Sequence, residues 1–289
     1  MGRQGGYDVT QKTRVRDIFD LTGRVAVITG GAGLLGAKHA EAIAELGGIP
    51  VIVDINQRDC EQVAAKIRNA FGVGCIGACT NITDQKQVVE LRERVLAELG
   101  RIDILINNAA NNPAVASGGL DQVHGSRLEV FPVEIWNQDI AVGLTGAFLC
   151  AQTFGPIMAE RGGGVILNIA SDLALISPDQ RLYRKPGLPE HAQSVKPVTY
   201  SVVKSGLIGL TRYLATYWIE QGVRCNALSP GGVYAEQDDV FVQHLSQLIP
   251  MGRMAHKDEY KAAVAFLVSD ASSYMNGANL VMDGGRTVW

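Results

Sequence analysis

The chain has 289 residues, 47% of them apolar, with 26 Lys or Arg against 29 Asp or Glu, which describes a globular protein able to bury a sizeable core. A formal net charge of −3 without a run of basic residues provides no footprint for a phosphate backbone, so we expect no nucleic-acid partner. The longest apolar runs fall far short of the ~20 residues of a spanning helix, and the N-terminus lacks an apolar signal region, so we expect a cytoplasmic protein outside the membrane.

Residues 1–20 have no sustained hydrophobic period and are predicted to form an arm outside the core, whereas residues 21–289 are predicted to form one domain. The predicted strands are Val25–Thr29, Pro50–Ile55, Val73–Ala78, Ile102–Asn107, Gly164–Ala170, Val223–Leu228 and Ala278–Met282. The predicted helices between them include Ala37–Leu46, Arg58–Phe71, Gln85–Leu99, Trp136–Arg161 and Tyr200–Gln221. Strands that alternate with long helices pair in parallel through helical crossovers, which predicts an α/β fold with a doubly wound, Rossmann-type sheet.

The five cysteines are scattered along the chain, and only Cys75 and Cys79 lie close together. An odd number of dispersed cysteines indicates reduced thiols rather than a disulfide framework. Because no His or second Cys pair stands at ligand spacing, we predict no metal site.

A glycine-rich motif follows the first predicted strand and opens the first long helix. It reads Gly31-Ala-Gly33-Leu-Leu-Gly36, a G-x-G-x-x-G. Its glycines allow a tight turn that brings backbone N–H groups against a pyrophosphate, and the helix N-terminus adds roughly half a positive charge. A glycine-rich turn without a ligand is the alternative for the motif alone.

Asp54 ends the second predicted strand, 18 residues after Gly36. A carboxylate there can accept hydrogen bonds from both hydroxyls of an adenosine ribose, and it would repel a 2′-phosphate. Neither Ile55 nor Asn56 is a cation that could bind that phosphate, and Lys38 is the one nearby cation that complicates the choice. The pattern therefore favours NAD over NADP, with a solvated carboxylate or helix cap as the alternative reading of Asp54.

Tyr200 and Lys204 stand four residues apart at the start of a predicted helix, so they share one face. An unperturbed tyrosine titrates near pH ~10, and an adjacent ammonium is expected to lower that pKa by about 1 to 3 units. Such a phenol can exchange a proton with an alcohol or ketone while hydride moves to or from a nicotinamide. The spacing alone occurs by chance in many helices, and its place behind a dinucleotide motif is what gives it weight.

Together these motifs resemble the short-chain dehydrogenase/reductase family from Leu21 to about Arg286. The matching stretches are Thr29–Gly36, Asn107–Ala110, Asn168–Ser171, Tyr200–Lys204, Asn226–Gly231 and Asp283–Gly285. The resemblance implies a single-domain, NAD(P)-dependent alcohol dehydrogenase or ketone reductase. It also implies a homo-oligomer, a tetramer or a dimer, in which the helices that begin at Trp136 and Tyr200 form the interface.

By this resemblance Ser171 would hydrogen-bond the substrate oxygen, Tyr200 would be the acid/base, and Lys204 would hold the nicotinamide ribose and depress the pKa of Tyr200. With Tyr200, Lys204 and Asp54, the residues that the resemblance places against the cofactor are Gly30, Gly33, Leu35, Gly36, Ile55, Asn81, Ile82, Asn108, Ala109, Ala110, Pro230, Gly231 and Val233.

Three features depart from the family pattern. Leu34 takes the place of the middle glycine, so the glycine spacing fits the extended, nucleotide-sugar branch, although the rest of the chain matches the single-domain branch. Gly143 stands where the family commonly has the Asn that anchors a proton-relay water, so a water or another side chain must replace that amide, or turnover is slow. Ser171 and Tyr200 are 29 residues apart, where the family usually has about 13.

The extra residues between Ser171 and Tyr200 lie mainly in the segment 177–198, whose local charge is about +2. Because the segment joins two catalytic residues, it must emerge near the cleft mouth, where it could clamp an anionic group of the substrate. An ordinary solvated or oligomer-contact loop is the alternative. Asp172, next to Ser171, could orient a hydroxylated substrate, or it could simply be a turn residue.

The sequence thus predicts an NAD-dependent oxidoreductase that acts on a secondary alcohol or ketone of a small polar substrate, a sugar or sugar phosphate. Within the family it looks most similar to oxidoreductases of bacterial surface-sugar and flagellin-modification pathways. Two alternatives stay open: a nucleotide-sugar epimerase or dehydratase with retained NAD, suggested by the glycine spacing, and a non-enzymatic NAD-responsive binding protein, suggested by Gly143.

Overall fold

Seven parallel strands form the central sheet within the residues that the computed structural model describes, which are 14–111 and 126–289. In chain order they are β1 (Val25–Thr29), β2 (Ile49–Asp54), β3 (Ile76–Cys79), β4 (Ile104–Asn107), β5 (Gly164–Ile169), β6 (Val223–Pro230) and β7 (Asn279–Met282). Their order across the sheet is β3-β2-β1-β4-β5-β6-β7, and every pairing is parallel. The predicted doubly wound α/β fold is confirmed.

The helices begin and end close to the predicted positions. They are α1 (Val15–Ile18), α2 (Leu34–Glu45), α3 (Gln57–Phe71), α4 (Gln85–Leu99), α5 (Val133–Ile140), α6 (Gly146–Glu160), α7 (Val198–Tyr217), α8 (Asp239–Gln247) and α9 (Lys261–Val268). The predicted helix Trp136–Arg161 is interrupted, because a π-helical turn at Ala141–Thr145 joins α5 to α6. The predicted N-terminal arm falls mostly outside the described residues, and α1, in its described part, contains no buried residue.

Alternate residues of the strands point to opposite faces of the sheet, and both faces are covered by helices. On one face Ile28 of β1 packs in a core cluster with Ile43 of α2. On the other face Val27 of β1 packs in a second cluster with Phe154 of α6. All five residues of β1 are buried, which is why this strand is a continuous apolar run rather than an alternating one.

One helical stretch of the described chain, Val133–Glu160, is long and apolar enough to cross a membrane, judged by length and composition alone. Half of its most apolar window is buried inside the fold. Its second part, α6, packs against α4, β4 and β5 and contributes Phe154 and Met158 to the core. A core helix therefore accounts for this apolar stretch.

The sheet changes direction between β1 and β4. After β1 the chain continues to β2 and β3 on one side, and after β4 it continues to β5, β6 and β7 on the other. The loops that follow β1 and β4 therefore diverge and leave a crevice at the carboxyl ends of these strands, where open α/β sheets bind their ligands.

Candidate active site

A cleft of about 560 Å³ opens at this crevice. Its walls contain all but one of the residues that the sequence assigns to a cofactor. These wall residues are Gly30, Gly33, Leu35, Asp54, Ile55, Asn81, Ile82, Asn108, Ala109, Ala110, Tyr200, Lys204, Pro230, Gly231 and Val233. The exception is Gly36, which lies behind the wall, in the first turn of α2.

The turn between β1 and α2 is shaped by close contacts between backbone segments. Gly30 has a φ of +60°, which favours glycine, and its Cα lies so near Ala109 that a Cβ would come within 2.8 Å of the Ala109 Cα. A Cβ on Gly36 would lie 2.1 Å from the Gly30 carbonyl oxygen. Gly33 is the N-cap of α2, and no described side chain caps it, so the helix N-terminus faces the cleft in a form suited to a pyrophosphate.

Asp54 both braces this turn and faces the cleft. Its carboxylate accepts hydrogen bonds from the backbone N–H of Ala32, at 3.2 Å, and of Ile55, at 2.8 Å. Lys38 is engaged elsewhere, since its ammonium lies 2.7 Å from Glu41 and 3.0 Å from Asp258. The adenosine side of the cleft therefore presents a carboxylate, and the one cation that complicated the choice between NAD and NADP is paired with two other carboxylates.

Ser171, Tyr200 and Lys204 meet on the opposite side of the cleft. Ser171 follows the end of β5, and Tyr200 and Lys204 lie one turn apart on α7. Lys204 is fixed by a 2.7 Å hydrogen bond from its Nζ to the carbonyl of Ile169, which leaves the ammonium 5.8 Å from the centroid of the Tyr200 ring. The Tyr200 phenol, the Lys204 ammonium and the Ser171 hydroxyl thus meet in the cleft, although Ser171 comes from a different part of the chain than the other two.

The pKa of Tyr200 differs from the sequence expectation. Burial raises the pKa of this phenol, and the Asp172 carboxylate raises it further, while the hydrogen bond with Ser171 lowers it. Burial and the neighbouring ammonium of Lys196 lower the pKa of Lys204 to about 8. The predicted depression of the Tyr200 pKa by Lys204 is therefore wrong, because desolvation has the largest effect on this phenol.

An ion pair behind Ser171 joins the middle of the chain to its C-terminus. The Ser171 hydroxyl donates to Asp172 at 2.9 Å, and the other carboxylate oxygen of Asp172 accepts from Nη1 of Arg286 at 2.8 Å. Both charged side chains are almost fully buried, at 4% and 7% exposure. Asp172 is therefore more than a turn residue, since it sets the direction in which the Ser171 hydroxyl donates its proton.

The segment 177–198 contributes part of the cleft wall, as its position between Ser171 and Tyr200 predicts. Arg181 and Arg184 form ion pairs with carboxylates of the same segment, Asp179 and Glu190, so these two arginines are not the expected clamp. Lys196 instead reaches the cleft, with its Nζ 3.9 Å from the centroid of the Tyr200 ring. Burial lowers the pKa of Lys196 to about 8.

Lys196 and Arg286 are the charged wall residues that sequence reasoning did not single out for the site. The available signals were weak: Lys196 is one of four basic residues in the segment 177–198, and Arg286 simply follows the Asp283–Gly285 stretch. Asp283 caps the backbone N–H groups of Gly285 and Thr287, which turns Arg286 inward. Only this long-range packing identifies the two side chains as parts of the cleft.

Gly143 lies in the π-helical turn between α5 and α6 and is buried. A Cβ at this position would come within 2.4 Å of Cγ1 of Val203 on α7. A side chain fits here only if the Val203 side chain or α7 moves, so the packing of these helices favours glycine at this position.

Comparisons with known proteins cover nearly the whole chain. A family model described as short chain dehydrogenase matches residues 24–183, and one described as enoyl-(acyl carrier protein) reductase matches residues 190–287. The D-threitol dehydrogenase of Mycolicibacterium smegmatis is 36% identical over 275 residues, which cover 93% of this chain and 95% of the relative. The NAD-dependent glycerol dehydrogenase of Listeria innocua is 32% identical over 275 residues, covering 93% and 96%.

Among solved structures, a gluconate 5-dehydrogenase from Burkholderia cenocepacia in complex with NADP and tartrate has the same fold. Its TM-score is 0.81 at 29% sequence identity, and the match covers 96% of this chain and 100% of that one. The strand order, the glycine turn and the Ser171, Tyr200 and Lys204 group thus occur together in a chain that matches these dehydrogenases from end to end.

Proposed function

Since the chain belongs to the short-chain dehydrogenase family and is an oxidoreductase of that type, we propose that it oxidises a secondary alcohol of a small polyol or sugar, with NAD as its coenzyme. The observation that carries this proposal is the convergence of Ser171, Tyr200 and Lys204 on a cleft whose substrate side has charged side chains beside apolar ones such as Leu182, Phe241 and Met254. Asp172, Lys196 and Arg286 contribute that charge.

In the proposed reaction the substrate hydroxyl lies between Ser171 and Tyr200. Ser171 donates its proton to Asp172 and accepts the backbone N–H of Leu173, which leaves one lone pair of its oxygen to accept a hydrogen bond from the alcohol. The Tyr200 phenolate accepts the hydroxyl proton as the carbon loses hydride. A nicotinamide held beside Tyr200 and Lys204 would accept this hydride, and the positive charge of the oxidised ring would favour the phenolate. Lys204 adds a second positive charge near the ring.

The substrate class follows from the lining and from the relatives. A pocket with charged side chains near Ser171 and Tyr200 suits a substrate with several hydroxyl groups, because such a substrate can add hydrogen bonds to those side chains. Two relatives are named for the polyols threitol and glycerol. Polyols are therefore the first substrates to test. Sugar phosphates, and the resemblance to surface-sugar and flagellin-modification enzymes, stay predictions.

The coenzyme preference rests on Asp54. A carboxylate at this position accepts hydrogen bonds from ribose hydroxyls and repels a 2′-phosphate, and Lys38 is held by two other carboxylates. The gluconate 5-dehydrogenase complex contains NADP, so the family uses both coenzymes. We expect Asp54→Ser to weaken NAD binding and to improve NADP binding, with a combined change of about 10-fold to 100-fold in the ratio of the two dissociation constants. Titration of both dinucleotides by intrinsic fluorescence measures this ratio, and an unchanged ratio would contradict the assignment.

Oligomeric state is part of the proposal as well. The α7 residues Tyr213 and Tyr217 are 61% and 59% exposed, and Phe148 of α6 is 46% exposed. Large apolar groups on these two helices support the predicted dimer or tetramer. Light scattering coupled to size-exclusion chromatography measures the mass directly.

The test of the function is turnover with a panel of alcohols that includes glycerol, threitol, mannitol and gluconate, followed by the absorbance of reduced nicotinamide. We expect Tyr200→Phe to reduce kcat by about 10²-fold to 10⁴-fold while dinucleotide binding is retained, because only the proton-transferring hydroxyl is lost. Tyr274→Phe, a fully exposed tyrosine outside the two interface helices, is the matched control and should leave kcat unchanged.

The same experiment separates the two alternatives. An epimerase or dehydratase with retained NAD would give no net reduced coenzyme with any alcohol, and the protein would purify with dinucleotide bound. A binding protein that responds to NAD without catalysis would show no turnover in the wild type and the same NAD response after Tyr200→Phe. Either result would replace the proposed function.

A further inference from the structure

Asp139 is a buried carboxylate that the proposed reaction leaves without a role. It lies on α5 and is 7% exposed. One of its oxygens accepts a hydrogen bond from Thr199 Oγ1 at 2.5 Å, and the other accepts one from Asn111 Nδ2 at 3.1 Å. Both donors are neutral, so they orient the carboxylate without neutralising a negative charge that is costly to bury. A carboxylate held in this way calls for a functional explanation.

A small cavity connects this carboxylate to the catalytic pair. Its volume of about 10 Å³ is near the lower limit for one water molecule. The residues that line it are Ala110, Asn111, Asp139, Gly143, Thr199, Tyr200, Val203 and Lys204. The lining therefore includes three titratable groups, a carboxylate, a phenol and an ammonium, which are the polar partners that a buried water requires.

The local helix geometry accounts for the cavity. Gly143 has no side chain, and the Cβ of any other residue would overlap Val203. The π-helical turn at Ala141–Thr145 forms the wall on this side. Single π-helical turns within α-helices occur frequently at functional sites. Gly143 has no side chain to line the cavity. Asp139, four residues earlier and one turn away on the same side of the helical stretch, places its carboxylate there instead.

We propose that Asp139 accepts, through one water in this cavity, the proton that the substrate hydroxyl gives to Tyr200. This inference rests on the proposed dehydrogenase function. The alcohol proton forms the O–H bond of the phenol, the phenol then gives a proton to the water, and the water passes one of its own protons to a carboxylate oxygen of Asp139. The ammonium of Lys204 keeps its proton and stabilises the phenolate that is regenerated.

The proposal includes the release of the proton from the site. The relay also requires that the carboxylic acid return the proton to bulk water after each turnover, and Asp139, at 7% exposure, lies near the surface end of that path. In the reverse direction the same acid supplies the proton that the ketone oxygen takes up through Tyr200. Asp139 is therefore a relay residue, which acts through Tyr200 and does not touch the substrate.

The first test is Asp139→Asn, which keeps the volume of the side chain and an oxygen that can accept a hydrogen bond. With the alcohol that the wild type oxidises best, we expect kcat to fall about 10-fold to 100-fold while KM changes by less than about twofold. The solvent isotope effect on kcat should increase, because proton release becomes slower than hydride transfer. Asp103→Asn is the matched control, since that carboxylate accepts the Val25 N–H at the amino ends of the central strands, away from the cleft, and it should leave both quantities unchanged.

A second variant separates proton transfer from packing. Asp139→Ala enlarges the cavity, and we expect formate or acetate to restore its kcat several-fold, whereas chloride at equal ionic strength should not. If Asp139 had a purely structural role, formate, acetate and chloride would have the same effect on the kcat of Asp139→Ala. Unchanged kcat and isotope effect in Asp139→Asn, or rescue by chloride as good as that by formate, would overturn the proposal.

A third measurement does not depend on turnover. Ultraviolet difference titration of the protein without coenzyme, with Tyr200→Phe identifying the contribution of Tyr200, should show a lower pKa for this phenol in Asp139→Asn, because a nearby anion that disfavours the phenolate has been removed. If no alcohol is oxidised by the wild type but this shift is seen, the dehydrogenase function fails while the coupling of the two groups stands. If the wild type is active and the titration does not shift, the relay through Asp139 is wrong.

Discussion

The two halves of the cleft are built in different ways. The cofactor half is made of backbone turns at the ends of β1, β2 and β4, where Gly30 touches Ala109 and Asp54 holds the N–H of Ala32. The substrate half is made of side chains from distant segments, such as Asp172 and Arg286, which are 114 residues apart. Where two backbone segments touch, there is no room for an added Cβ. Where two charged side chains pair, the loss of either one leaves the other buried without its partner.

The largest expected effect follows from the cofactor half. In Gly36→Ala the new Cβ would lie 2.1 Å from the Gly30 carbonyl oxygen and 2.8 Å from the Gly31 Cα, so the turn must open. We expect measurable dinucleotide binding to be lost and the free energy of unfolding to fall by at least about 4 kcal/mol. Calorimetric titration and urea unfolding measure the two quantities.

Gly209→Ala is the matched control for that change. Gly209 lies within α7, and nothing is within 4 Å of the position its Cβ would take. An alanine there should stabilise the protein by about 0.5 to 1 kcal/mol, because it lowers the entropy of the unfolded chain. Equal effects of the two substitutions would contradict the view that backbone contact defines the cofactor half.

The next effect comes from the substrate half. Arg286→Ala leaves the buried Asp172 without its cation, and we expect the free energy of unfolding to fall by about 3 to 5 kcal/mol. The paired variant Asp172→Asn with Arg286→Ala should recover part of this loss, since no buried charge is then left alone. Urea unfolding of the two single variants and the double variant gives their coupling energy. If the loss of unfolding free energy in the double variant equals the sum of the two single losses, the interaction between Asp172 and Arg286 contributes nothing to stability.

The same contrast explains what could be predicted from the sequence. The strand boundaries, the Gly30 to Gly36 turn and Asp54 are local patterns, because a glycine motif behind an apolar run has few possible structures. The start of β3 was predicted three residues early, because Gly72 ends α3 in a left-handed conformation and residues 73–75 only lead into the strand. Parallel pairing and the sheet order follow from the alternation of strands and helices.

The substrate half could not be predicted in this way. Arg286, Lys196 and Asp139 carry no motif, and their roles depend on which distant element packs against them. The pKa of Tyr200 was predicted in the wrong direction for the same reason: the spacing to Lys204 is visible in the sequence, but the depth of burial is not. Side chains that meet through tertiary packing require the structure.

The smallest expected effect concerns the charge of Lys196. Burial lowers its pKa to about 8, and Lys196 in turn lowers the pKa of Lys204. Between pH 8 and its ordinary pKa of about 10.4, the unfolded chain therefore binds more protons than the folded protein, so this lysine makes the wild type more stable as the pH rises. At pH 7 the folded protein instead keeps a buried charge at a cost in free energy.

Lys196→Met removes that charge, so it should stabilise the protein at pH 7 by on the order of 1 kcal/mol, and the gain should shrink at pH 9 and above. Urea unfolding of both proteins across this range measures the difference, with Lys86→Met, an exposed lysine of α4, reporting the effect of losing any lysine. A gain that is constant with pH would mean that Lys196 is not buried as a cation. Activity toward polyols should fall in the same variant, because a group that is costly to bury is retained only where the substrate uses it.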